Sequence, residues 1–170
     1  AFGQFDLYTP LQLAQYMSTI ANGGTRIAPR LVKEIHETSP KGGIGNLEDV
    51  IPTKIMNTLQ VEKKILDHIK EGLYRVTHGE NGTSASTFKN YSPEVAGKTG
   101  TVEAFYSGPN PAYKNEAVEN STFISYAPYD NPEIVVSVVA PYFKDGLPSD
   151  YAAKIAKKVY EAYFGKKSNS

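Results

Sequence analysis

Lys98, Thr99, Gly100 and Thr101 form a short run whose side chains suit the binding of a carboxylate. The run lies in the segment Val95 to Phe105, whose composition predicts a β-strand. A lysine bounded by glycines adds little packing to a strand, so a binding role explains it better. Lys98 would supply a cation, and the hydroxyls of Thr99 and Thr101 would donate hydrogen bonds. Gly100 would leave room for an extended ligand backbone, so the run predicts an anion-binding strand at an exposed sheet edge.

The tripeptide Lys-Thr-Gly is a weak signal when it is taken alone. A lysine followed by serine or threonine and then glycine occurs by chance in roughly one chain of this length in ten. A phosphate-binding loop is excluded, because no glycine stands at the required spacing before Gly97 in a strand-to-helix context. The segments around the run therefore decide its meaning.

Eight segments around and including the run decide its meaning: Gly3-Gln4, Tyr8 to Gln15, Ile20 to Gly24, Pro29 to Lys33, Asn81 to Thr83, Val95 to Thr101, Ser125 to Pro128 and Asn131-Pro132. In this order, and along nearly the whole chain, they resemble class B penicillin-binding proteins. Lys-Thr-Gly is one of three elements that mark the penicillin-recognising serine enzymes. The resemblance implies the C-terminal part of a transpeptidase domain, with a partial β-lactamase-like fold.

The resemblance also implies a reaction, peptidoglycan D,D-transpeptidation. In such enzymes a serine attacks the D-Ala-D-Ala bond of a stem peptide, and an amine of a second stem peptide resolves the acyl-enzyme; β-lactams acylate the same serine. The implied catalytic residues are Lys98, which positions the carboxylate and tunes the proton network, and Thr101, whose backbone N–H is one of two oxyanion-hole donors. The implied substrate-binding residues are Thr99, Gly100, Thr101 and Glu103. For Glu103 an ordinary strand position is an equal alternative.

Two of the three family elements, Ser-x-x-Lys and Ser-x-Asn, are missing upstream of Lys98. Ser86 to Lys89 fits Ser-x-x-Lys literally, but it lies in a polar stretch without an apolar helical face and is predicted to be a loop. Tyr113 to Asn115 and Tyr129 to Asn131 resemble a variant of the second element, on the wrong side of Lys98. We therefore predict that this segment is inactive alone and needs the missing N-terminal part of the same protein.

Two other functions remain open at this point. Within the superfamily, the chain could come from a β-lactamase, a carboxypeptidase or a β-lactam sensor. In a different class, it could be a non-catalytic interaction module that offers a surface to cell-wall assembly proteins. The resemblance places the parent protein at the outer face of the bacterial cytoplasmic membrane, with its anchor outside this chain.

Composition excludes several further classes. Lys and Arg number 18, as do Asp and Glu, so the zero net charge gives no case for nucleic acid. The chain has no cysteine, and its three histidines lack metal-ligand spacing, so neither a metal site nor a cofactor is expected. No apolar run is long enough to span a membrane. The sequence around Ala1 predicts that this chain is a piece of a longer protein.

The elements that position the run predict an α+β fold, an antiparallel sheet with packed helices. Thr9 and Pro10 begin a first helix, and Ser149 or Asp150 caps the last one. Between them we predict a strand at 27–35 broken only by Pro29, a loop at 38–54 with a short strand at Asp49–Ile51, a helix at 62–76, and strands at 95–105, 122–127 and 134–141, with a long connection at 107–120. The strand at 134–141 is nearly all apolar and is predicted to be central and covered on both faces. Residues 1–165 would form the transpeptidase portion, and 166–170 a frayed tail.

Overall fold

The structure, a computed structural model, describes residues 6–143, 148 and 150–167. Residues 166 and 167 are described by their backbone only. The elements are α1 (Pro10–Ala21), β1 (Thr25–Ile27), β2 (Glu34–Thr38), β3 (Ile44–Val50), β4 (Ile55–Thr58), α2 (Lys63–His78), α3 (Ala85–Phe88), β5 (Ala96–Phe105), β6 (Ala117–Ala127), β7 (Ile134–Phe143) and α4 (Tyr151–Lys167). A short 3₁₀ turn, Pro111–Tyr113, lies between β5 and β6.

Strands β5, β6 and β7 form an antiparallel sheet in that order, with β6 in the middle. Two smaller antiparallel pairs join β1 to β4 and β2 to β3. The predicted α+β class, an antiparallel sheet with packed helices, is confirmed.

Helices cover both faces of the three-stranded sheet. On one face, α4 buries an apolar cluster whose largest members are Phe88, Phe123 and Tyr160. Inside this cluster the hydroxyls of Tyr160 and Ser125 lie 2.7 Å apart, so the buried phenol keeps a partner. On the other face, α1 packs Met17 and Ala21 against the sheet. We refer below to the α4 face and the α1 face.

The start of α1 is the predicted one. Thr9 caps the helix, Gln12 bonds back to the cap backbone, and Pro10 occupies the first turn. This capping box satisfies amide groups that the first helical turn leaves without partners. The helix therefore begins where the sequence indicates.

The predictions for residues 27–54 are wrong in part. The expected strand at 27–35 is two separate short strands, β1 and β2, because Pro29 stands between them and has no amide hydrogen for a ladder. The expected loop at 38–54 contains β3, which is longer than the short strand predicted at Asp49–Ile51 and pairs with β2 as a hairpin. Gly42 and Gly43, with φ of 79° and 84°, make the turn possible. Strand β4 was not predicted.

The predicted central position of the strand at 134–141 is also wrong. Within the described residues β7 lies at one edge of the sheet, and β6 is the central strand. Because α1 and α4 both contact β7, its two faces are covered although one edge is open. The predicted connection at 107–120 is shorter than expected, since β6 begins at Ala117.

The C-terminal predictions are only partly within the described residues. Helix α4 extends to Lys167, and residues 168–170 lie outside the described part, as does Ser149, one of the two predicted caps. The division between a domain at 1–165 and a frayed tail at 166–170 stays a prediction. Asp150 directly precedes α4, and its backbone carbonyl accepts from the amide of Lys154 at 3.0 Å.

A buried carboxylate ties α4 to α3. Thr87 Oγ1 donates to Asp150 Oδ2 at 2.7 Å, and Lys154 Nζ lies 2.9 Å from Asp150 Oδ1. Burial alone would raise the pKa of Asp150, but the hydrogen bonds from Thr87 and Lys154 outweigh it and hold the pKa below its usual range. A carboxyl whose pKa is lower in the folded state stabilises the fold above its unfolded-state pKa of ~3.9. That stabilisation is lost as the pH falls through the folded-state pKa.

We expect Asp150→Asn to lower the free energy of unfolding at pH 7 by about 1–2 kcal/mol, because the hydrogen bonds lose their charged acceptor. The difference from the wild type should shrink towards pH 3, and urea unfolding at both pH values measures it. Asp67→Asn is the matched control, since Asp67 pairs with Lys63 on an exposed helix surface and should change stability by less than about 1 kcal/mol. An unchanged pH dependence in Asp150→Asn would contradict the role given to this carboxylate.

Candidate functional site

The run Lys98 to Thr101 lies on β5, an edge strand of the sheet. Its pairing with β6 is unbroken from Ala96, opposite Tyr126, to Phe105, opposite Ala117. No bulge interrupts β5 over these residues, so the run is regular extended strand. The predicted edge position is therefore the one the structure has.

The backbone of Thr101 faces the open edge of the sheet. Thr122 Oγ1, on β6, donates to the carbonyl of Gly100 at 3.2 Å, so that carbonyl points towards β6. In an antiparallel strand the N–H and C=O of one residue point the same way, and successive residues alternate. Thr99 and Thr101 therefore turn their backbone groups to the open side. The Thr99 carbonyl has this outward orientation, since it accepts a hydrogen bond from Lys98 Nζ at 2.6 Å.

The side chains of the run alternate between the two faces of the sheet. Lys98 follows Ala96 onto the α1 face, whereas Thr99 and Thr101 lie on the opposite face. Lys98 nevertheless reaches the open edge, since its Nζ bonds to the outward-facing Thr99 carbonyl. The edge position thus brings the ammonium group and the outward backbone of the strand together without a bulge.

The two glycines around Lys98 have packing reasons of their own. A Cβ on Gly97 would lie 2.6 Å from Phe123 Cζ and 2.7 Å from Ser125 Cβ. A Cβ on Gly100 would collide with Thr122 Oγ1. The sequence suggested room for a ligand at Gly100, and the structure adds that the missing side chain also makes room for β6.

The hydroxyl of Thr99 already has a partner. Its Oγ1 lies 2.8 Å from Oγ1 of Thr83, and Thr99 is only 8% exposed. Thr101 and Glu103 are both exposed on the same strand. Sequence reasoning noted Asn81 to Thr83 as a family-like segment but gave Thr83 no place in the site.

Ser86 and Lys89 do not form a nucleophile and base pair in this structure. Ser86 lies in the four-residue helix α3, and Lys89 directly follows it. Both side chains are exposed, and within the described residues no hydrogen bond joins them. The buried residues of this segment are its other two members, Thr87 and Phe88. The segment is helical rather than the predicted loop, and its role is packing.

A cavity of about 570 Å³ lies on the α1 face beside the site. Its lining includes Ile124, the cross-strand partner of Lys98, together with Leu13 and Ile20 of α1. Around it Tyr8, Leu11 and Tyr16 are exposed, each by 60% or more. An apolar groove along α1 therefore reaches the cross-strand partner of Lys98.

A tyrosine cluster organises the connection that follows β5. The ring of Tyr106 lies 5.9 Å from that of Tyr113 and 4.7 Å from that of Tyr142. Tyr142 has φ of 65°, a strained conformation for an aromatic residue, and its amide donates to Asn120 Oδ1 at 3.0 Å. The loop is thus held against the end of the sheet by its own side chains.

No group of three or more His, Asp or Glu residues in the described part of the chain is arranged to hold a metal ion. None of the described helices is long and apolar enough to cross a membrane.

Residues 1–161 match the family model described as penicillin binding protein transpeptidase domain, so the chain belongs to that family. Its similarity to curated and solved members confirms the predicted class B penicillin-binding transpeptidase fold.

Three relatives illustrate the similarity. Penicillin-binding protein 2A of Bacillus subtilis (strain 168) is 40% identical over 170 residues, 99% of this chain and 24% of the relative. Peptidoglycan D,D-transpeptidase MrdA of Haemophilus influenzae is 33% identical over 164 residues, 94% of this chain and 24% of the relative. The solved structure of penicillin-binding protein 2B from Streptococcus pneumoniae (strain R6) has a TM-score of 0.78 and 36% identity, covering 95% of this chain and 26% of that chain. The chain thus spans about a quarter of the length of these relatives.

Proposed function

We propose that this chain is the part of a peptidoglycan D,D-transpeptidase that binds the terminal carboxylate of a D-Ala-D-Ala stem peptide or of a β-lactam. The open edge of β5 carries the proposal, because it presents Lys98 Nζ and the outward-facing N–H of Thr101 together. The lysine attracts the carboxylate and helps to arrange the proton network. The amide is one of two donors to the oxyanion that forms when the peptide bond is attacked.

The hydroxyls of Thr99 and Thr101 bind the same carboxylate, Gly100 lets the ligand backbone approach, and Glu103 lies at the rim. An extended peptide pairs with the open edge by adding a strand to the sheet. The printed name of the Haemophilus relative, a peptidoglycan D,D-transpeptidase, supports this substrate class.

The nucleophilic serine comes from outside this chain. Ser86, the serine of the literal Ser-x-x-Lys match, lies exposed on α3, and within the described part of the chain no hydrogen bond joins it to a base. The exposed apolar surface of α1 and the groove lined by Ile124 suit the packing of the remaining part of the same domain. The segment is therefore inactive alone, and the complete protein acts at the outer face of the cytoplasmic membrane.

The test is labelling with a fluorescent penicillin. This chain alone and the longer protein that contains it are incubated with the probe, and the labelled residue is mapped by peptide mass spectrometry. We expect the longer protein to be labelled on a serine upstream of Ala1 and the chain alone to stay unlabelled. Labelling of this chain at Ser86 would reverse the assignment of that segment. If neither protein is labelled, a non-catalytic interaction module becomes the better explanation.

A further inference from the structure

We infer that Thr83 is a positioning residue that aims the hydroxyl of Thr99 at the bound carboxylate. The inference rests on the proposed function and extends it to a residue outside the Lys-Thr-Gly run. It starts from one contact, the 2.8 Å separation between the two Oγ1 atoms.

The direction of the proton in this contact follows from the chemistry of the ligand. A carboxylate only accepts hydrogen bonds, so Thr99 must donate its single hydroxyl proton to bind one. The proton shared by Thr83 and Thr99 must then come from Thr83. With Thr83 as the donor, a lone pair of Thr99 is occupied and its own proton is left for the ligand. Such a chain of hydroxyls also strengthens the outer hydrogen bond.

Thr83 is held by backbone contacts that make its position well defined. The amide of Gly82 donates to the carbonyl of Gly79 at 2.9 Å, and the amide of Ser84 donates to that of Val76 at 3.0 Å. A Cβ on Gly82 would lie 2.6 Å from the Val76 carbonyl oxygen, so the chain passes directly against the end of α2. Rigid backbone on both sides of Thr83 is what a positioning role requires.

The two threonines differ in exposure. Thr99 is almost completely buried, whereas Thr83 is exposed. A valine at position 83 would keep the shape of threonine and remove only the donor. Because the side chain is exposed, little stability should be lost. Thr99 would then be free to rotate and to donate elsewhere.

The experiment compares Thr83→Val and Thr83→Ser with the wild type in the longer protein that contains this chain. The measurement is the second-order rate constant of acylation by benzylpenicillin and by its methyl ester, which lacks the carboxylate charge. For the free acid we expect a loss of about 10-fold in Thr83→Val and near wild-type rates in Thr83→Ser. For the ester the loss in Thr83→Val should be less than about 2-fold. Thermal unfolding verifies that each variant is folded, and Thr83→Ala replaces the valine variant if that one is not.

A double variant supplies a second readout. If Thr83 acts only through Thr99, adding Thr83→Val to Thr99→Val should cause no further loss. Equal losses for acid and ester, or an unchanged rate in a folded Thr83→Val protein, would overturn the inference while leaving the proposed function intact. Absence of acylation in the wild type would remove both.

Discussion

Replacing Lys98 with alanine should slow acylation of the longer protein by β-lactams about 10²- to 10⁴-fold, the range for loss of a positioned proton-transfer group. Lys98 is exposed, and its Nζ bonds to a backbone carbonyl at the open edge. The substitution therefore removes a charge from the site without leaving a buried cavity. Stopped-flow or gel-based acylation kinetics with a fluorescent penicillin would measure the effect.

Lys89→Ala is the matched control for this variant. Lys89 is also exposed and lies a short distance upstream, in the literal Ser-x-x-Lys match. The Lys89→Ala protein should be acylated at the wild-type rate. Lys98→Arg should recover little of the acylation rate lost in Lys98→Ala, because a guanidinium cannot replace an ammonium in a proton network. An acylation rate near wild type in Lys98→Ala would remove the role given to Lys98.

Replacing Thr101 with proline should lower the acylation rate about 10²- to 10³-fold while the protein stays folded. Proline has no amide hydrogen, so it removes the proposed oxyanion donor. Since the amide of Thr101 faces the open edge, no bond to β6 is lost, and edge strands tolerate proline at such positions. Acylation kinetics and thermal unfolding on the same preparation would separate the two effects.

Two variants make the proline result interpretable. Thr101→Val keeps the amide and loses the hydroxyl, so its rate should lie clearly above that of the proline variant. Val102→Pro removes an amide that alternation turns towards β6 and should destabilise the sheet by about 1–3 kcal/mol, the cost of leaving its partner unsatisfied. Equal rates for the valine and proline variants at position 101 would contradict the role given to the amide.

The sequence was sufficient for the site strand and for the class of fold. A lysine and two threonines around a glycine would destabilise a buried strand, but they can bind a ligand at a sheet edge. The edge position of β5 could therefore be predicted from residue types. The capping box of α1 was equally direct, because it is written within four consecutive residues. Features that depend only on neighbouring residues can be predicted from a single sequence.

Other features depended on tertiary contacts and could not be read locally. Only the end of strand β3 was predicted, because the strand has no buried face: Ile44 is 82% exposed, and only Gly45 in the strand is partly buried. The apolar composition of β7 reflected helices on both of its faces, which says nothing about how many strands flank it. Thr83 joins Thr99 across a separation in sequence that no short motif spans.

The packing of the two glycines in β5 bears on how relatives of this chain should be judged. Gly97 leaves no room for a side chain, because an added Cβ would lie 2.7 Å from Ser125 Cβ and 2.8 Å from the Ile124 carbonyl oxygen of β6, whether or not any ligand binds. At Gly100 the close atom is the side-chain hydroxyl of Thr122, which can rotate away. A descendant that had lost its chemistry would still be under selection to keep Gly97. Lys98 and Thr101 are exposed, so substitutions at these two positions would disturb the fold least. If the proposed function holds, we therefore expect divergent sequences that have lost the activity to differ at the lysine and the second threonine while they keep Gly97.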